Sequence, residues 1–436
     1  MRARSAGTAL SRAGTAVSPR VLAAPHIRTL ATTATTPVTG SSRSHKVVVV
    51  GGGAAGASVS HQLLRSGRYS RDDIAVVDPA RWHHYQPGWT LVGGGVKDKE
   101  DLRMRMTEVL DPRLAHYDQP VQGFLPDDNA VKLASGARLQ YEQLVVCPGI
   151  DIYYDKIKGL PEALADPAAP VSTVYGYEGA DKVFRTVEAL RSGKALFTQP
   201  AGMIKCAGAP QKVMWLALDH WRRAGLYNKA GGGVDVTFAT ALPAMFGVPK
   251  YSAALEALRV ERGVEGLFQH DLVEVDGDRA IFSVTDAASG STKTVTRRFD
   301  LLHAVPKMGP HAFVARSPLA DAAGLVDVHR TPTAKTAAAV TAQAPVVVAN
   351  LLAVAEGGEP AAEYDGYTSC PLTTERGKVL LAEFMYGGQP KETFAAFGVD
   401  QAEPNRAFWH LKKDFFPWVY KNYMVKGTWG GPKGFL

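Results

Sequence analysis

Cysteine is scarce in this chain of 436 residues, which has only Cys147, Cys206 and Cys370. No Cys-x-x-Cys pair occurs among them, which argues against a zinc site and against a disulfide framework. Long apolar runs are also lacking: the longest, APVVVANLLAVA from Ala344, is interrupted by Asn350 and is too short to span a bilayer. A hydrophobic content of 46% with 21% charged residues is typical of a globular protein.

Acidic residues are missing from the first part of the chain, since none occurs before Asp72. The same part is rich in Arg, Ser, Thr and Ala, and its arginines account for most of the net charge of +7. This composition predicts a mitochondrial transit peptide over residues 1–44, with processing between Thr29 and Ser44. The alternative is a basic tail that binds nucleic acid. We disfavour it because the rest of the chain has no basic stripe, and we expect no nucleic-acid partner.

The strongest motif is a glycine fingerprint that directly follows four valines. Val47–Val50 predict a buried parallel strand, and Gly51, Gly53 and Gly56 follow it with G-x-G-x-x-G spacing. In such a fingerprint the first glycine permits a tight turn, and the second lets backbone amides approach a pyrophosphate. The third lets the helix pack closely on the strand.

A second predicted strand, Ile74–Val77, ends in Asp78, an acid placed to accept hydrogen bonds from a ribose. The two strands, the glycines and the acid together predict a dinucleotide-binding unit for FAD or NAD(P). An acid rather than an arginine at residue 78 disfavours a 2′-phosphate on that ribose.

A second α/β unit begins near Ser192, but it lacks a glycine fingerprint after its first strand. The stretch KCAGAPQK, with Cys206 as its second residue, stands at that place. The sequence therefore predicts an α/β protein with two Rossmann-like dinucleotide-binding domains, of which only the first keeps its phosphate loop. This arrangement favours FAD in the first domain and an electron donor other than NAD(P)H.

The cysteines differ in their surroundings. Cys206 follows Lys205, whose ammonium group is expected to favour a thiolate. Cys370 lies in a turn-rich stretch before Pro371, and Cys147 closes a predicted strand, where a buried thiol is typical. Because disulfides in the mitochondrial matrix are more often catalytic than structural, Cys206 and Cys370 are a candidate redox pair.

From about His45 to the C-terminus, the sequence resembles the mitochondrial sulfide:quinone oxidoreductases. The resemblance implies a fold like that of glutathione reductase, with bound FAD, a cysteine pair on one face of the flavin and a quinone reached from the membrane. The motifs that carry it are GGGAAG, RWHHYQPGWTLVGGG, KCAGAPQK, FGVPKYSAALEAL, TPTAKTAAAVTAQ, EYDGYTSCPLTT and GTWGGP.

On this resemblance, Cys206 and Cys370 are the redox cysteines. Hydrogen sulfide would attack their disulfide or trisulfide bridge and leave a persulfide on one cysteine, with Cys370 favoured, and a thiolate on the other. Electrons would pass through FAD to ubiquinone, and the sulfane sulfur would pass to an acceptor such as glutathione or sulfite. The residues that would contact FAD are Gly51, Gly53, Ala54, Ala55, Gly56, Asp78, Gln86, Val121 and Lys335.

The C-terminal segment, residues 386–436, ends in a stretch where aromatic residues are interleaved with lysines. This pattern predicts helices that lie in a membrane interface, and the alternative is a segment packed on its own protein. We expect a protein at the matrix side of the inner mitochondrial membrane. The other expected units are an FAD-binding domain in two parts, 45–165 and 301–385, and a second Rossmann domain over 166–300 that carries Cys206.

One expected feature is missing. Flavoproteins of this architecture carry a late strand that ends in Gly-Asp, but here LVDVHR runs directly into TPTAKT at Arg330–Thr331. The only Gly-Asp, Gly277-Asp278, lies in a predicted hairpin. Three hypotheses stay open: a sulfide:quinone oxidoreductase, an NADH:quinone oxidoreductase-like flavoprotein, and a flavin-poor, non-catalytic product of a truncated gene model. The missing second fingerprint disfavours the NADH enzyme.

Overall fold

The computed structural model describes residues 42–227, 232–326 and 333–436. Most of the expected transit peptide and the Arg330–Thr331 junction lie outside the described residues. The last three residues assigned to the transit peptide, 42–44, belong to the first strand, where they pair in parallel with residues 138–140.

The described residues form strands and helices in alternation through most of the chain. The strands are, in chain order, β1 Ser42–Val50, β2 Ile74–Val77, β3 Trp82–His84, β4 Arg103–Arg105, β5 Ala115–Tyr117, β6 Val121–Leu125, β7 Ala130–Leu133, β8 Arg138–Val146, β9 Asp151–Tyr153, β10 Val171–Ser172, β11 Gly193–Gln199, β12 Val234–Thr240, β13 Glu265–Phe268, β14 His270–Asp276, β15 Arg279–Thr285, β16 Thr292–Arg298, β17 Leu301–His303, β18 Lys307–Gly309, β19 Thr368–Glu375 and β20 Lys378–Phe384. The helices are α1 Ala54–Arg65, α2 Trp89–Val92, α3 Met106–Val109, α4 Leu160–Ala165, α5 Ala180–Ala189, α6 Ala209–Arg223, α7 Pro249–Glu261, α8 Ala312–Ala315, α9 Ala337–Ala355, α10 Arg406–His410 and α11 Phe416–Val419.

The first sheet has six strands in the order β5-β2-β1-β8-β7-β6. The four strands from β5 to β8 are parallel, and β7 and β6 are added antiparallel. The four valines at the end of β1 are buried, as a central parallel strand requires because helices or further strands cover both of its faces. Helix α1 starts directly after this strand and packs on α9.

The second sheet is fully parallel, in the order β10-β17-β11-β12-β13. Helices α5, α6 and α7 pack on it. Helix α6 starts with Ala209 and Pro210, where proline's missing amide hydrogen costs no helical hydrogen bond. A mostly parallel sheet and a fully parallel sheet, both packed against helices, confirm the α/β fold predicted from the sequence.

Smaller antiparallel units complete the fold. Strands β14, β15 and β16 form a three-stranded sheet whose first hairpin turns at Gly277-Asp278, as the sequence predicts. Three pairs of strands are antiparallel: β3 with β4, β9 with β18 and β19 with β20. Residues from each pair line the large cavity described below. Cys370 lies on β19.

Helix α9 extends well beyond the apolar run seen in the sequence, because it begins at Ala337 behind a Thr336 cap that accepts a hydrogen bond from the Ala339 amide. In the part of the chain that the structure describes, it is the one helix long and apolar enough to cross a membrane by length and composition. The side chain of Asn350 on this helix bonds the amide and the carbonyl of Ala362. The helix also packs on α1 within the protein, and several of its residues line the cavity described below.

Candidate functional site

The glycine fingerprint forms a tight turn between β1 and α1. Gly51 has φ +103°, and a Cβ on it would lie 2.5 Å from the carbonyl oxygen of Cys147. A Cβ on Gly56 would lie 1.8 Å from the Gly51 carbonyl oxygen. Only glycine therefore permits this close approach of helix and strand, while Gly53, with open space around its Cα, directly precedes α1.

Asp78 closes this turn from the end of β2. Its Oδ2 accepts a hydrogen bond of 2.6 Å from the Gly52 amide, and its Oδ1 accepts one of 2.7 Å from the Ala80 amide. The carboxylate is thereby held beside the N-terminus of α1, at the rim of a large cavity.

The cavity has a volume of about 2820 Å³, well above the roughly 300–1,000 Å³ of a usual small-molecule site. It runs from the glycine turn past Tyr175 to Cys206 and on to the C-terminal segment. An elongated dinucleotide with its pyrophosphate at the helix N-terminus fits this shape, and room remains for a second ligand. Six of the residues expected to contact FAD line it: Gly53, Ala54, Ala55, Asp78, Gln86 and Lys335.

The other three expected contacts do not line the cavity. Gly51 and Gly56 lie inside the turn, where they act on backbone packing. The Val121 side chain packs in the core of the first sheet with Val48 and Val77. Lys335 is largely buried at the cavity wall, and burial lowers the pKa of its ammonium group to about 8.

The structure brings Cys206 and Cys370 together. Their Sγ atoms are 3.3 Å apart, which is within contact and longer than the roughly 2.05 Å of a disulfide bond. Cys206 comes from the loop before α6, and Cys370 comes from β19. A Cβ on Gly208 would lie 2.5 Å from the Cys370 Sγ, so this glycine makes room for the second sulfur.

A lysine that sequence reasoning did not single out contacts the pair. The ammonium group of Lys212, on α6, donates a hydrogen bond of 3.2 Å to the Cys206 Sγ. The hydrogen bond from Cys370 and the charge of Lys212 hold the pKa of Cys206 well below its usual value, whereas the pKa of Cys370 is raised. The geometry therefore favours a thiolate on Cys206 that accepts a hydrogen bond from a Cys370 thiol.

Lys205 is the cation that the sequence predicted beside the Cys206 thiolate, but the structure does not place its ammonium group on that sulfur. Its side chain lines the cavity, but the ion that bonds the Cys206 sulfur comes from Lys212. The signal for Lys212 was present in KCAGAPQK, because a residue six positions after Cys206 is carried back toward it by the first turn of α6. The third cysteine, Cys147, is half-buried beside the glycine turn, and desolvation raises the pKa of its thiol to about 12.

Lys412 comes close to the cysteines from the C-terminal segment. Its side chain is buried, and burial together with the charge of Lys212 lowers its pKa to about 7. The sequence grouped this residue with lysines at a membrane surface, but the structure places it at the cavity. Nothing in the sequence indicated this, since the residue is distant from both cysteines along the chain.

The C-terminal segment is fixed to the glycine turn. The buried ring of His83 donates to the Gly52 carbonyl at 3.1 Å and accepts from the Tyr420 hydroxyl at 2.6 Å. Burial lowers the pKa of His83 to about 4, which keeps the ring neutral. His83 thus joins the phosphate loop to the C-terminal segment.

Within the described residues, no group of His, Cys, Asp and Glu side chains is arranged to hold a metal ion.

Two α/β units around one long cavity, with Cys206 at the cavity wall in contact with Cys370, define a protein of the two-domain dinucleotide-binding class. No family model matches the chain. A mitochondrial sulfide:quinone oxidoreductase of Schizosaccharomyces pombe is 42% identical, with 91% of this chain and 93% of that protein covered. The mitochondrial sulfide:quinone oxidoreductase of Dictyostelium discoideum is 39% identical, with 88% of this chain and 87% of that protein covered. The chain belongs to the mitochondrial sulfide:quinone oxidoreductase family.

Solved structures show the same fold at lower identity. The sulfide:quinone oxidoreductase of Aquifex aeolicus superposes with a TM-score of 0.68 at 17% identity, over 87% of this chain and 92% of that chain. A chain in the Tetrahymena thermophila mitochondrial ATP synthase structure superposes with a TM-score of 0.75 at 20% identity, over 92% of this chain and 100% of that chain. These likenesses concern the fold alone.

Proposed function

We propose that this oxidoreductase takes electrons from hydrogen sulfide through the Cys206–Cys370 pair and passes them by way of FAD to ubiquinone. The observation that carries the proposal is the 3.3 Å contact between the two sulfurs at the wall of a dinucleotide-sized cavity. Membership in the family supports the choice of sulfide over NADH as the electron donor.

The two cysteines would have different roles. In the oxidised enzyme a bridge joins them, and the sulfur of hydrosulfide forms a bond to one cysteine while the other leaves as a thiolate. Lys212 stabilises a thiolate on Cys206, and a more stable thiolate leaves faster. Attack therefore falls on Cys370, which becomes the persulfide, and the electron pair of the broken bond stays on Cys206.

The cycle then needs a sulfur acceptor and an electron acceptor. A thiolate such as glutathione, or sulfite, would take the outer sulfur from Cys370 and leave a second thiolate. Cys370 itself is buried, but Cys206, whose sulfur contacts that of Cys370, lines the cavity, so an acceptor would reach the pair from the side of Cys206. When bound, FAD would accept the electron pair released as the bridge re-forms and deliver it to a quinone.

The residues that would hold FAD are those around the glycine turn and along the cavity. Backbone amides at Gly53, Ala54 and Ala55 face the pyrophosphate position, and Asp78 would accept hydrogen bonds from the ribose. Gln86 and Lys335 would contact the cofactor farther along the cavity. We retain the division into an FAD-binding domain in two parts and a second Rossmann domain as part of this proposal.

The C-terminal segment would place the enzyme on the matrix side of the inner mitochondrial membrane. Its side chains Trp418, Phe435 and Leu436 are 47%, 60% and 49% exposed. Neighbouring rings of Tyr423 and Trp429 pack against them, so the exposed aromatics are held on a rigid base. Such a surface fits a membrane interface, from which ubiquinone would enter the cavity.

Replacing Cys206 tests the electron donor. In Cys206→Ser, sulfide-dependent reduction of a short-chain ubiquinone should fall to background, whereas Cys147→Ser should turn over as the unmodified enzyme does. NADH should support no turnover in any of the three proteins. Sulfide turnover that survives in Cys206→Ser, or a sustained rate with NADH, would contradict the proposal.

A further inference from the structure

Cys206 has an unusual backbone conformation. Its φ is +59°, in the left-handed region that residues with a Cβ rarely adopt. Among the described non-glycine residues only Asp72, Asn129 and Gln269 share a positive φ, and Asp and Asn are the types that tolerate it best. A cysteine keeps this conformation only where its surroundings hold it.

Both backbone polar groups of Lys205, the residue before Cys206, are held by hydrogen bonds. The hydroxyl of Tyr175 donates a hydrogen bond of 3.1 Å to the Lys205 carbonyl oxygen. On the other side the Lys205 amide donates to the Met308 Sδ at 3.2 Å. After the cysteine, the Ala209 amide donates to the Cys206 carbonyl oxygen at 2.9 Å as α6 begins.

Tyr175 is itself fixed in place. Its side chain is buried, and its carbonyl oxygen accepts a hydrogen bond from the Tyr154 hydroxyl. Its amide donates to the Thr173 Oγ1 at 3.3 Å. Burial and the neighbouring cysteines raise the pKa of the Tyr175 hydroxyl, so this group remains a hydrogen-bond donor.

We propose that Tyr175 is a positioning residue for the redox pair, whose hydroxyl keeps the Lys205–Cys206 peptide in the conformation that holds the two sulfurs in contact. This role deepens the proposed function and rests on it. Without the hydroxyl, the Lys205–Cys206 peptide can rotate, and φ of Cys206 can relax toward its usual negative values. This rotation moves the Cys206 sulfur away from Cys370. The effective concentration of one thiol at the other then falls, and so does the tendency to form the bridge.

The test measures bridge formation directly. Purified holoprotein is equilibrated with mixtures of glutathione and glutathione disulfide, in which the two thiols lose two electrons and two protons to the disulfide and release two glutathiones. Free thiols are then alkylated under denaturing conditions and counted by mass spectrometry. A bridged chain has one free thiol, that of Cys147, and an unbridged chain has all three.

In Tyr175→Phe the equilibrium constant for bridge formation should fall about fivefold, the effect of losing one buried hydrogen bond. The reduction potential of the pair would then rise by about 20 mV. The matched control is Tyr177→Phe in the same loop, whose hydroxyl bonds the exposed Glu100 carboxylate at 3.2 Å and should leave the constant unchanged. An unchanged constant in Tyr175→Phe would overturn the proposal.

A second variant covers the case in which Tyr175→Phe does not fold. Met308→Leu removes the acceptor of the Lys205 amide, which belongs to the preceding Ile204–Lys205 peptide, and should shift the constant in the same direction by a smaller factor. An unchanged constant in that variant would equally overturn the proposal.

Flavin reduction by sulfide is followed in the same preparations. It distinguishes a failure of the proposed sulfide reaction from a failure of the positioning role of Tyr175. Flavin that stays oxidised, with a constant that still falls in Tyr175→Phe, contradicts the sulfide reaction and supports the positioning of the pair. Reduced flavin with an unchanged constant contradicts the positioning role alone.

Discussion

At the scale of single residues, charge at the cysteine pair decides its chemistry. Lys212 and Lys412 are both buried and repel each other, and the Cys206 thiolate is the anion that relieves this repulsion. The pKa of Lys412 is lowered to about 7, so this group loses its charge as the pH rises through neutrality, whereas the pKa of Lys212 is raised by the two cysteines. Lys212 is therefore the cation that remains beside the sulfur under alkaline conditions.

Removing this cation should weaken the thiolate. In reduced Lys212→Met, the pKa of Cys206 should rise, because a buried thiolate without its ion pair is costly. At pH 7 we expect the rate of Cys206 alkylation by iodoacetamide to fall by about tenfold or more, the factor that one pKa unit represents. Peptide mapping of the alkylated protein measures the rate at this residue alone.

Lys205→Met is the control for that experiment, because this lysine precedes Cys206 in sequence but does not bond its sulfur. In this variant, the alkylation rate of Cys206 should stay close to that in the unmodified protein. If the alkylation rate of Cys206 fell more in Lys205→Met than in Lys212→Met, Lys212 would not be the cation that stabilises the thiolate.

At the scale of elements, the C-terminal segment is joined to the phosphate loop at several points. Tyr420 bonds His83, and the Met424 carbonyl accepts a hydrogen bond from Ser58 on α1. The ammonium group of Lys426 bonds the carbonyl oxygens of Glu108 and Val109 on α3. A segment held at these points can present its exposed aromatics at a fixed distance from the cavity, as docking on a membrane requires.

Membrane docking should depend on these exposed aromatics. In the double variant Trp418→Ser with Phe435→Ser, partitioning onto vesicles of anionic phospholipid should fall by about tenfold or more, since each aromatic contributes more than about 1 kcal/mol on burial. Co-sedimentation measures the partition. The control is Val260→Ser on α7, which removes a comparably exposed apolar side chain that is 63% exposed. Equal binding of the double variant and the unmodified protein would contradict docking by this surface.

The elements also show how far sequence reasoning reaches. The β1–α1 turn was predictable because its glycines, valines and acid act over a short stretch with known geometry. The surroundings of Cys206 and Cys370 made them a candidate pair, and the resemblance implied that they are the redox cysteines. Their contact itself could not be derived, because contacts between distant segments leave no local pattern. Lys412 was missed for the same reason, and its charge suggested a surface position when it is in fact buried. The positive φ of Cys206 and the hydrogen bond from Tyr175 to the Lys205 carbonyl were not predictable, since no residue pattern encodes them.

At the scale of the whole molecule, one hydrophobic core connects the two large sheets. It includes Leu63 of α1, Trp215 of α6, Phe238 of β12 and Cys370 of β19, so the cysteine pair is anchored in the part of the protein that is buried best. Buried histidines belong to this interior as well. Burial lowers the pKa of His83 to about 4 and that of His303 to about 3.

These histidines predict a pH-dependent stability. Near pH 5 the unfolded chain binds protons at both rings, while the folded protein binds none, so the free energy of unfolding falls as the pH drops through about 6.5. Between pH 7 and pH 5 the loss should be about 2 kcal/mol for each histidine. Carboxylates contribute little in this range, because those with a lowered pKa titrate below about pH 4.

Denaturant unfolding at the two pH values measures this loss. His303→Gln, which keeps an acceptor for the Val174 amide, should reduce the loss between pH 7 and pH 5 by about 2 kcal/mol. If the free energy of unfolding changed equally with pH in the variant and in the unmodified protein, His303 would not be a source of the pH dependence.

The visible absorption spectrum of the purified, detergent-solubilised protein, recorded before and after anaerobic addition of sulfide, tests the central claim most directly. We predict flavin bands that bleach, or that develop a long-wavelength charge-transfer band, when sulfide is added. Flavin bands that sulfide leaves unchanged would contradict sulfide as the electron donor. A spectrum without flavin bands would contradict FAD as the cofactor and would favour the flavin-poor, non-catalytic alternative.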